Sequence, residues 1–319
     1  MKMKDAIWPV IGGLAVIVSC WLLYREVRGL SLEDIWSSFT AISAGQWTGS
    51  ILSAALAYVM LAYYDRLALR HVGRRISMPF VAATSFTTYA LSHNIGASVF
   101  SGAVVRYRAY SSKGLRGSEI ALLIAFCSFT FGLGVLIVTA ASLLINPSIV
   151  QRYFDVPQIV PVAVALAIVA ALTLYVYGSL RGLPPRHIGK FQLQYPKRDV
   201  VLRQLVAAPL EIVAAAAIIY FALPAAGNPG FVTVLAIFVI SFSLALISHA
   251  PGGLGVLEVT FLAGLSDMAE TDVLAALLVF RILYLLVPFA FAILMVLVFE
   301  QGAMRRRGAE TRSPTRSEV

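Results

Sequence analysis

The sequence predicts an all-α, polytopic membrane protein, and three observations carry that prediction. Of the 319 residues, 59% are hydrophobic and only 13% are charged, and the mean hydropathy is +0.84. Several apolar runs reach the roughly 18 residues that cross a bilayer core of about 30 Å. They are continuous rather than alternating, which argues against a β-barrel. Basic residues gather in particular connecting segments, as expected of loops held at an anionic cytoplasmic leaflet. The net charge of +9 is read in that way and not as a sign of nucleic-acid binding. Cys20 and Cys127 both fall in apolar runs. Two such thiols make neither a disulfide framework nor a metal site.

The chain starts with Lys2 and Lys4 before an apolar run at about 7–24. No small-residue cleavage site ends that run, so it reads as an uncleaved first helix with a cytoplasmic N-terminus. Leu32, Ile35, Trp36, Phe39 and Ile42 then recur at helical spacing, with Ser31 and Asp34 placed to start the turn. This stretch is expected to lie as an amphipathic helix in the membrane interface. A second helix at about 46–66 leads into a basic loop containing Arg66, Arg70, Arg74 and Arg75.

The next apolar pieces are too short to cross. Met78 to Leu91 would reach only about 21 Å as a helix, and Ile95 to Val105 is shorter still. Both flanks are basic, so the pair is predicted to enter from the cytoplasmic side and return, turning at Ser92-His93-Asn94-Ile95-Gly96. A third helix at about 118–145 carries Gly132 and Gly134 as close-packing positions. A fourth at about 159–178, a basic loop and a fifth at about 200–223 follow.

The second short pair is expected at about 231–247 and 253–265, turning at Ser248-His249-Ala250-Pro251-Gly252-Gly253. Its flanks lack Lys and Arg and are assigned outside, as a re-entrant hairpin or a full crossing with a short return. The sixth helix, about 272–299, contains Arg281 and Pro288. A basic tail at 301–319 is expected to be disordered on the cytoplasmic side.

Helix, helix, hairpin, helix thus occurs twice, over 1–150 and over 151–300, starting inside in the first copy and outside in the second. The two Ser-His turns are about 156 residues apart. Such an inverted repeat favours transport, with a site near the bilayer midplane where broken helices meet. Within it, charges are costly, roughly 2.5–3.5 kcal/mol each on insertion scales. Glu211 and Arg281 are therefore either a headgroup site or a mutual structural pair. Asp65 can pair with Arg66 at a helix end, and Glu258 follows Gly252 and Gly253 inside the second hairpin. Arg106 and Arg108 hold lipid phosphate or mark the cytoplasmic surface. His93 and His249 act as proton exchangers or helix caps, and Asn94 shares the first turn. No phosphate-binding loop, zinc-protease motif or nucleophile elbow is present, so neither a metal, a cofactor nor a catalytic set is assigned.

Ser92-His93-Asn94-Ile95-Gly96, Ser101-Gly102-Ala103-Val104-Val105-Arg106 and Pro251-Gly252-Gly253-Leu254-Gly255-Val256-Leu257-Glu258 resemble the membrane domain of the lysylphosphatidylglycerol synthases, the multiple peptide resistance factors. The resemblance runs to about residue 300. It implies a flippase for aminoacylated phosphatidylglycerol in the cytoplasmic (inner) membrane. The larger members add further helices and an aminoacyl-transferase domain, which this sequence, ending at 319, does not show; translocation is implied over synthesis. Asp65, Arg106 and Glu211 look like the family's functional acidic, arginine and glutamate positions, the last by helix order more than by motif. The expected partners are a phospholipid and the membrane, with a separate lipid-modifying enzyme and a second copy of the chain as protein candidates. The alternative function is a membrane enzyme, or enzyme subunit, that modifies a lipid headgroup.

Overall fold

The computed structural model describes residues 32–95, 98–183, 186–188, 191–193, 195–248 and 251–297. The first predicted helix, Ser31, Gly96, His249, Ala250 and the basic tail lie outside these residues. The described chain is helical apart from one small β-hairpin, β1 Arg186–Ile188 with β2 Phe191–Leu193. The helices are α1 Leu32–Ala41, α2 Ala44–Val72, α3 Met78–Ile95, α4 Ser98–Ser111, α5 Gly117–Ile145, α6 Ile159–Leu180, α7 Arg198–Ala222, α8 Phe231–Ser248, α9 Val256–Gly264 and α10 Glu270–Leu297. Short 3₁₀ turns at Pro147–Arg152 and Pro251–Gly253 link them. Five helices, α2, α5, α6, α7 and α10, are long and apolar enough to cross a membrane. The chain is an integral membrane protein.

Local chemistry sets the helix ends. Ser43 caps α2: its hydroxyl accepts from the Gln46 N–H, while the Gln46 side chain accepts from the Ser43 N–H at 2.9 Å. At the other end α2 runs past the predicted 66 to Val72, because Leu67, Ala68 and Leu69 are fully buried. Gly73, in the left-handed region at φ 79°, then stops it. Glu119 in the first turn of α5 accepts from the Arg116 N–H at 2.7 Å and from Arg74 at 2.9 and 3.0 Å.

At the centre, α2 and α7 run antiparallel in close contact. Gln46 donates to the Leu223 carbonyl at 2.8 Å, Ser50 to Ile218 at 3.0 Å and Tyr64 to Ala208 at 2.9 Å. Buried small residues, among them Ala57, Ala207, Ala214 and Ala215, let the backbones approach. α5 crosses α7 at Gly134, where an added Cβ would lie 2.4 Å from the Ala208 carbonyl oxygen. Gly132, expected to pack in the same way, faces open space. The difference is helical phase, since residues two apart point to different sides.

α3 and α4 form a helical hairpin: Gly102 abuts Ser92 and Thr88 near the tip, and Phe80 meets Tyr110 at the base. Ser92, His93 and Asn94 lie in the last turn of α3 and are not turn residues, so the break falls after Ile95. α8 and α9 form a second hairpin, with Gly253 against Ala245 at the tip and Gly264 against Ile237 at the base. Arg152 and Tyr153 fasten that base, donating to the Gly264 and Thr260 carbonyls at 2.6 and 2.9 Å.

α10 widens into a π-helical stretch at Arg281–Leu286. Pro288 has no N–H to give to the Tyr284 carbonyl one turn back. The Tyr58 hydroxyl takes that role at 2.9 Å, and the Asn94 amide donates to the neighbouring Leu285 carbonyl at 3.1 Å.

The two glycines of α5 provide a test. Gly134→Ala should lower stability by about 1–3 kcal/mol through overpacking against backbone. Gly132→Ala should raise it by about 1 kcal/mol through helix propensity. Thermal unfolding of the detergent-solubilised variants reads both, and equal shifts would contradict the placement of Gly134.

Candidate functional site

Among the described residues three carboxylates are buried between the helices, and each is met differently. Asp65 is in α2, two helical turns beyond Tyr58, and is 0% exposed. Its Oδ2 accepts from Arg106 Nε at 3.2 Å and from the Tyr110 hydroxyl at 2.7 Å. Its Oδ1 accepts from Arg106 Nη2 at 2.7 Å and from the Cys127 thiol at 3.4 Å. Arg106 and Tyr110, one turn apart on α4, reach it from the same side. The guanidinium also lies over the Tyr89 ring, 4.8 Å from its centre. Donors thus surround the carboxylate, and the buried charge is compensated on every side.

Two readings change accordingly. Asp65 pairs with Arg106, while Arg66 turns away to donate to the Ile76 carbonyl at 2.9 Å. Arg106 is a buried member of the second hairpin arm, not a marker of the surface. Arg108 is exposed.

The second carboxylate is Glu258, in the first turn of α9. Its Oε2 accepts from the Gly255 N–H at 2.9 Å, which closes the helix start. Its Oε1 accepts from Arg281 Nε at 2.9 Å and also from Arg281 Nη2. Arg281 Nη1 donates to the Gly252 carbonyl at 3.4 Å. Gly252 and Gly253 have φ of 60° and 67°, a conformation that side chains with a Cβ rarely adopt. Glycine at these positions lets the turn expose its carbonyl to the guanidinium.

The third is Glu211, near the middle of α7. It does not pair with Arg281, which is already held by Glu258. Glu211 Oε1 accepts from the Tyr284 hydroxyl at 2.6 Å, and Oε2 has no partner. Tyr284 stacks on His93, with ring centres 5.1 Å apart.

The two hairpin tips meet beside the π-helical stretch of α10. A Cβ on Gly252 would lie 3.9 Å from the His93 carbonyl oxygen, 3.8 Å from Arg281 Nη1 and 3.6 Å from Leu285. Asn94 joins the first tip to α10 through Leu285. His93, Asn94, Gly252, Gly253, Glu258 and Arg281 therefore form one junction. Asp65 with Arg106 forms a second, and Tyr284 links Glu211 to the first. Along α3 toward the junction several polar atoms have no partner: His93 Nδ1 and the hydroxyls of Ser85, Thr88 and Ser92. The carboxylates' tyrosine partners are absent from the residues singled out in the sequence. Spacing offered a signal for one of them, since Tyr110, which donates to Asp65, lies four residues after Arg106 on the same helix face.

Residues 10–292 match the sequence family described as the lysylphosphatidylglycerol synthase TM region. The protein slr0712 of Synechocystis is 27% identical over 308 residues, covering 96% of this chain and 95% of its own length. The inner membrane protein YbhN of Escherichia coli is 27% identical over 303 residues, covering 92% of each. A phosphatidylglycerol lysyltransferase of Staphylococcus aureus is 28% identical over 295 residues, which is 90% of this chain and 33% of that protein.

The Asp65–Arg106 pair makes a sharp prediction. Asp65→Asn leaves a buried guanidinium without its counter-charge and should cost about 3–5 kcal/mol. Replacing both partners, Asp65→Leu with Arg106→Met, should recover most of that loss, because an apolar pair of similar volume is often neutral. Thermal unfolding of the variants measures this; a double variant as unstable as the single one would contradict the pairing.

Proposed function

The chain belongs to the lysylphosphatidylglycerol synthase TM region family, and from that premise we propose that it moves phospholipid headgroups between the leaflets of its membrane. The observation that carries this reading is the contact of two helical hairpin tips beside oppositely charged side chains, inside a cage of apolar helices. The hairpins are taken to be re-entrant, one from each side of the membrane. On this reading the two halves are an inverted repeat, with the boundary near residue 150. Like lengths in like order support it: α3 and α8 each have 18 residues, and α5 and α10 have 29 and 28. The termini are placed in the cytoplasm, where the basic loops gather.

The Arg281–Glu258 pair is suited to exchange partners. A phosphate entering between the tips takes Arg281, and an ammonium on the same headgroup takes Glu258. Each charge then leaves one opposite charge for another, so no bare ion is created in the bilayer. Asp65 and Arg106 offer the same exchange on the other side of the junction. A phosphatidylglycerol carrying an aminoacyl group presents both charges, and plain phosphatidylglycerol presents the first. The hydroxyls of Thr88 and Ser92 supply uncommitted polar atoms beside the path.

The lysyltransferase relative supports a second reading, that the chain is the membrane part of a headgroup-modifying assembly. Product formed from phosphatidylglycerol and an aminoacyl donor when the chain is mixed with a soluble transferase, with no lipid exchange by the chain alone, would favour it.

Reconstitution in vesicles with headgroup-labelled phosphatidylglycerol and aminoacyl-phosphatidylglycerol tests the first reading. Inner-leaflet label should reach an outside quencher faster than in empty vesicles, and equal rates would count against translocation. Arg281→Lys loses the fork that spans Glu258 and Gly252. It should slow exchange about tenfold, the scale of one charge-assisted hydrogen bond, while the chain still folds.

A further inference from the structure

The partner exchange of Arg281 and Glu258 makes no use of Glu211. This carboxyl is 1% exposed, yet it accepts a single hydrogen bond, from a hydroxyl. Its Oε2 accepts none. The other two buried carboxylates are each matched by an arginine.

Among the described residues the groups around it are neutral, and the charges of α2 are engaged elsewhere: Asp65 by Arg106, Arg66 by the Ile76 carbonyl and Arg70 by Asp199. α10 brings the Tyr284 hydroxyl, and α2 brings the Tyr58 and Tyr64 phenols within electrostatic reach. α3 brings His93, stacked on the Tyr284 ring. α6 and α8 contain no Asp, Glu, Lys or Arg. α5 carries Glu119, which is bound to Arg74. The charges of α10 are Arg281, held by Glu258, and Glu270 and Asp272 in its first turn. On α7 itself Asp199 lies in the first turn with Arg198, and Arg203 reaches Tyr63.

An ionised carboxylate in this setting would lack the donors its oxygens require. A metal ion or an organic ammonium needs space and several ligands. A proton needs neither, and on Oε2 it removes the charge while Oε1 keeps the Tyr284 bond.

We propose that Glu211 is a proton-binding site, and that headgroup movement is coupled to a proton taken up and released at its Oε2. This deepens the translocation reading and rests on it. The step is balanced: an O–H bond forms when the proton enters from one side and breaks when it leaves to the other, and no electrons are transferred. Tyr284 connects the site to the hairpin tips. Its hydroxyl holds Glu211, its ring stacks on His93, and its carbonyl accepts from Tyr58. The next carbonyl, of Leu285, accepts from Asn94 in the first tip. Loss of the proton places a charge against these rings. Relieving it requires water or new donors to enter along Tyr284, the side on which the tips close.

Infrared difference spectroscopy of the purified full chain, titrated across the physiological pH range, reads proton occupancy without any lipid transport. A protonated-carboxyl band should titrate in the wild type, vanish in Glu211→Gln and move to higher frequency in Tyr284→Phe, where Oε1 loses its donor. In phosphatidylglycerol vesicles, an imposed pH gradient should change the wild-type exchange rate several-fold and leave Glu211→Gln unaffected. A wild-type spectrum without the band, or a Glu211→Gln chain that keeps the gradient response, overturns the proposal. If Glu211→Gln does not fold, an unshifted band in Tyr284→Phe overturns it instead. Absence of lipid exchange under every gradient would instead overturn the translocation reading, with the infrared band still reporting on Glu211.

Discussion

The Arg281 guanidinium bonds at once to Glu258 in one hairpin arm and to the Gly252 carbonyl at that hairpin's tip. That clasp holds α9, the Pro251–Gly253 turn and α10 together. Inside a bilayer neither charge has water to fall back on, so each has to find its counter-charge within the protein. Asp65 and Arg106 obey the same constraint across α2 and α4. The positions of the hairpins follow from it, because each pair closes only when its hairpin arm lies against a long helix. On the translocation reading proposed above, the same constraint makes the pairs usable, because a ligand that supplies an equivalent charge takes the place of a partner without leaving a bare ion.

The scaffold around the pairs is assembled without help from the hydrophobic effect between helices, since lipid is as apolar as the side chains. Close backbone approach does that work. Gly49 lies against the Phe221 ring, Gly134 against Ala208, and the buried alanines of α7 against α2. Hydroxyl and amide side chains then stitch carbonyls across the contacts, as Ser50, Tyr64 and Gln46 do between α2 and α7. The π-helical stretch of α10 uses the same chemistry: Tyr58 and Asn94 satisfy carbonyls in and beside the gap that Pro288 opens.

Much of this was legible in the sequence. Hydropathy located the five described helices that are long and apolar enough to cross. Run length set them apart from the arms of the first hairpin, while the first arm of the second was long enough to leave a full crossing open. The glycines of the second turn marked where the backbone takes positive φ. Pairing was not legible. Asp65 stands next to Arg66, but a helix turns neighbours about 100° apart, so the nearer arginine in sequence points elsewhere while Arg106 arrives from another helix. Glu211 and Arg281 looked like natural partners until Glu258 proved to be within reach of the arginine. The tyrosines escaped notice because a phenol in an apolar run reads as one more large apolar residue. The turn of the first hairpin was expected too early for a related reason: Ser92, His93 and Asn94 look like a loop by polarity. In α3 they complete a helix, and Asn94 returns its amide to the Ala90 carbonyl at 2.8 Å.

An electron cryomicroscopy map of the chain in a lipid nanodisc tests the meeting of the two tips most directly, because it shows protein and bilayer together. His93 and Gly252 should be neighbours near the centre of the lipid slab, with Arg281 bridging to Glu258. Tips found well apart, or each at its own membrane surface, would contradict the picture of a shared junction at which charge changes hands.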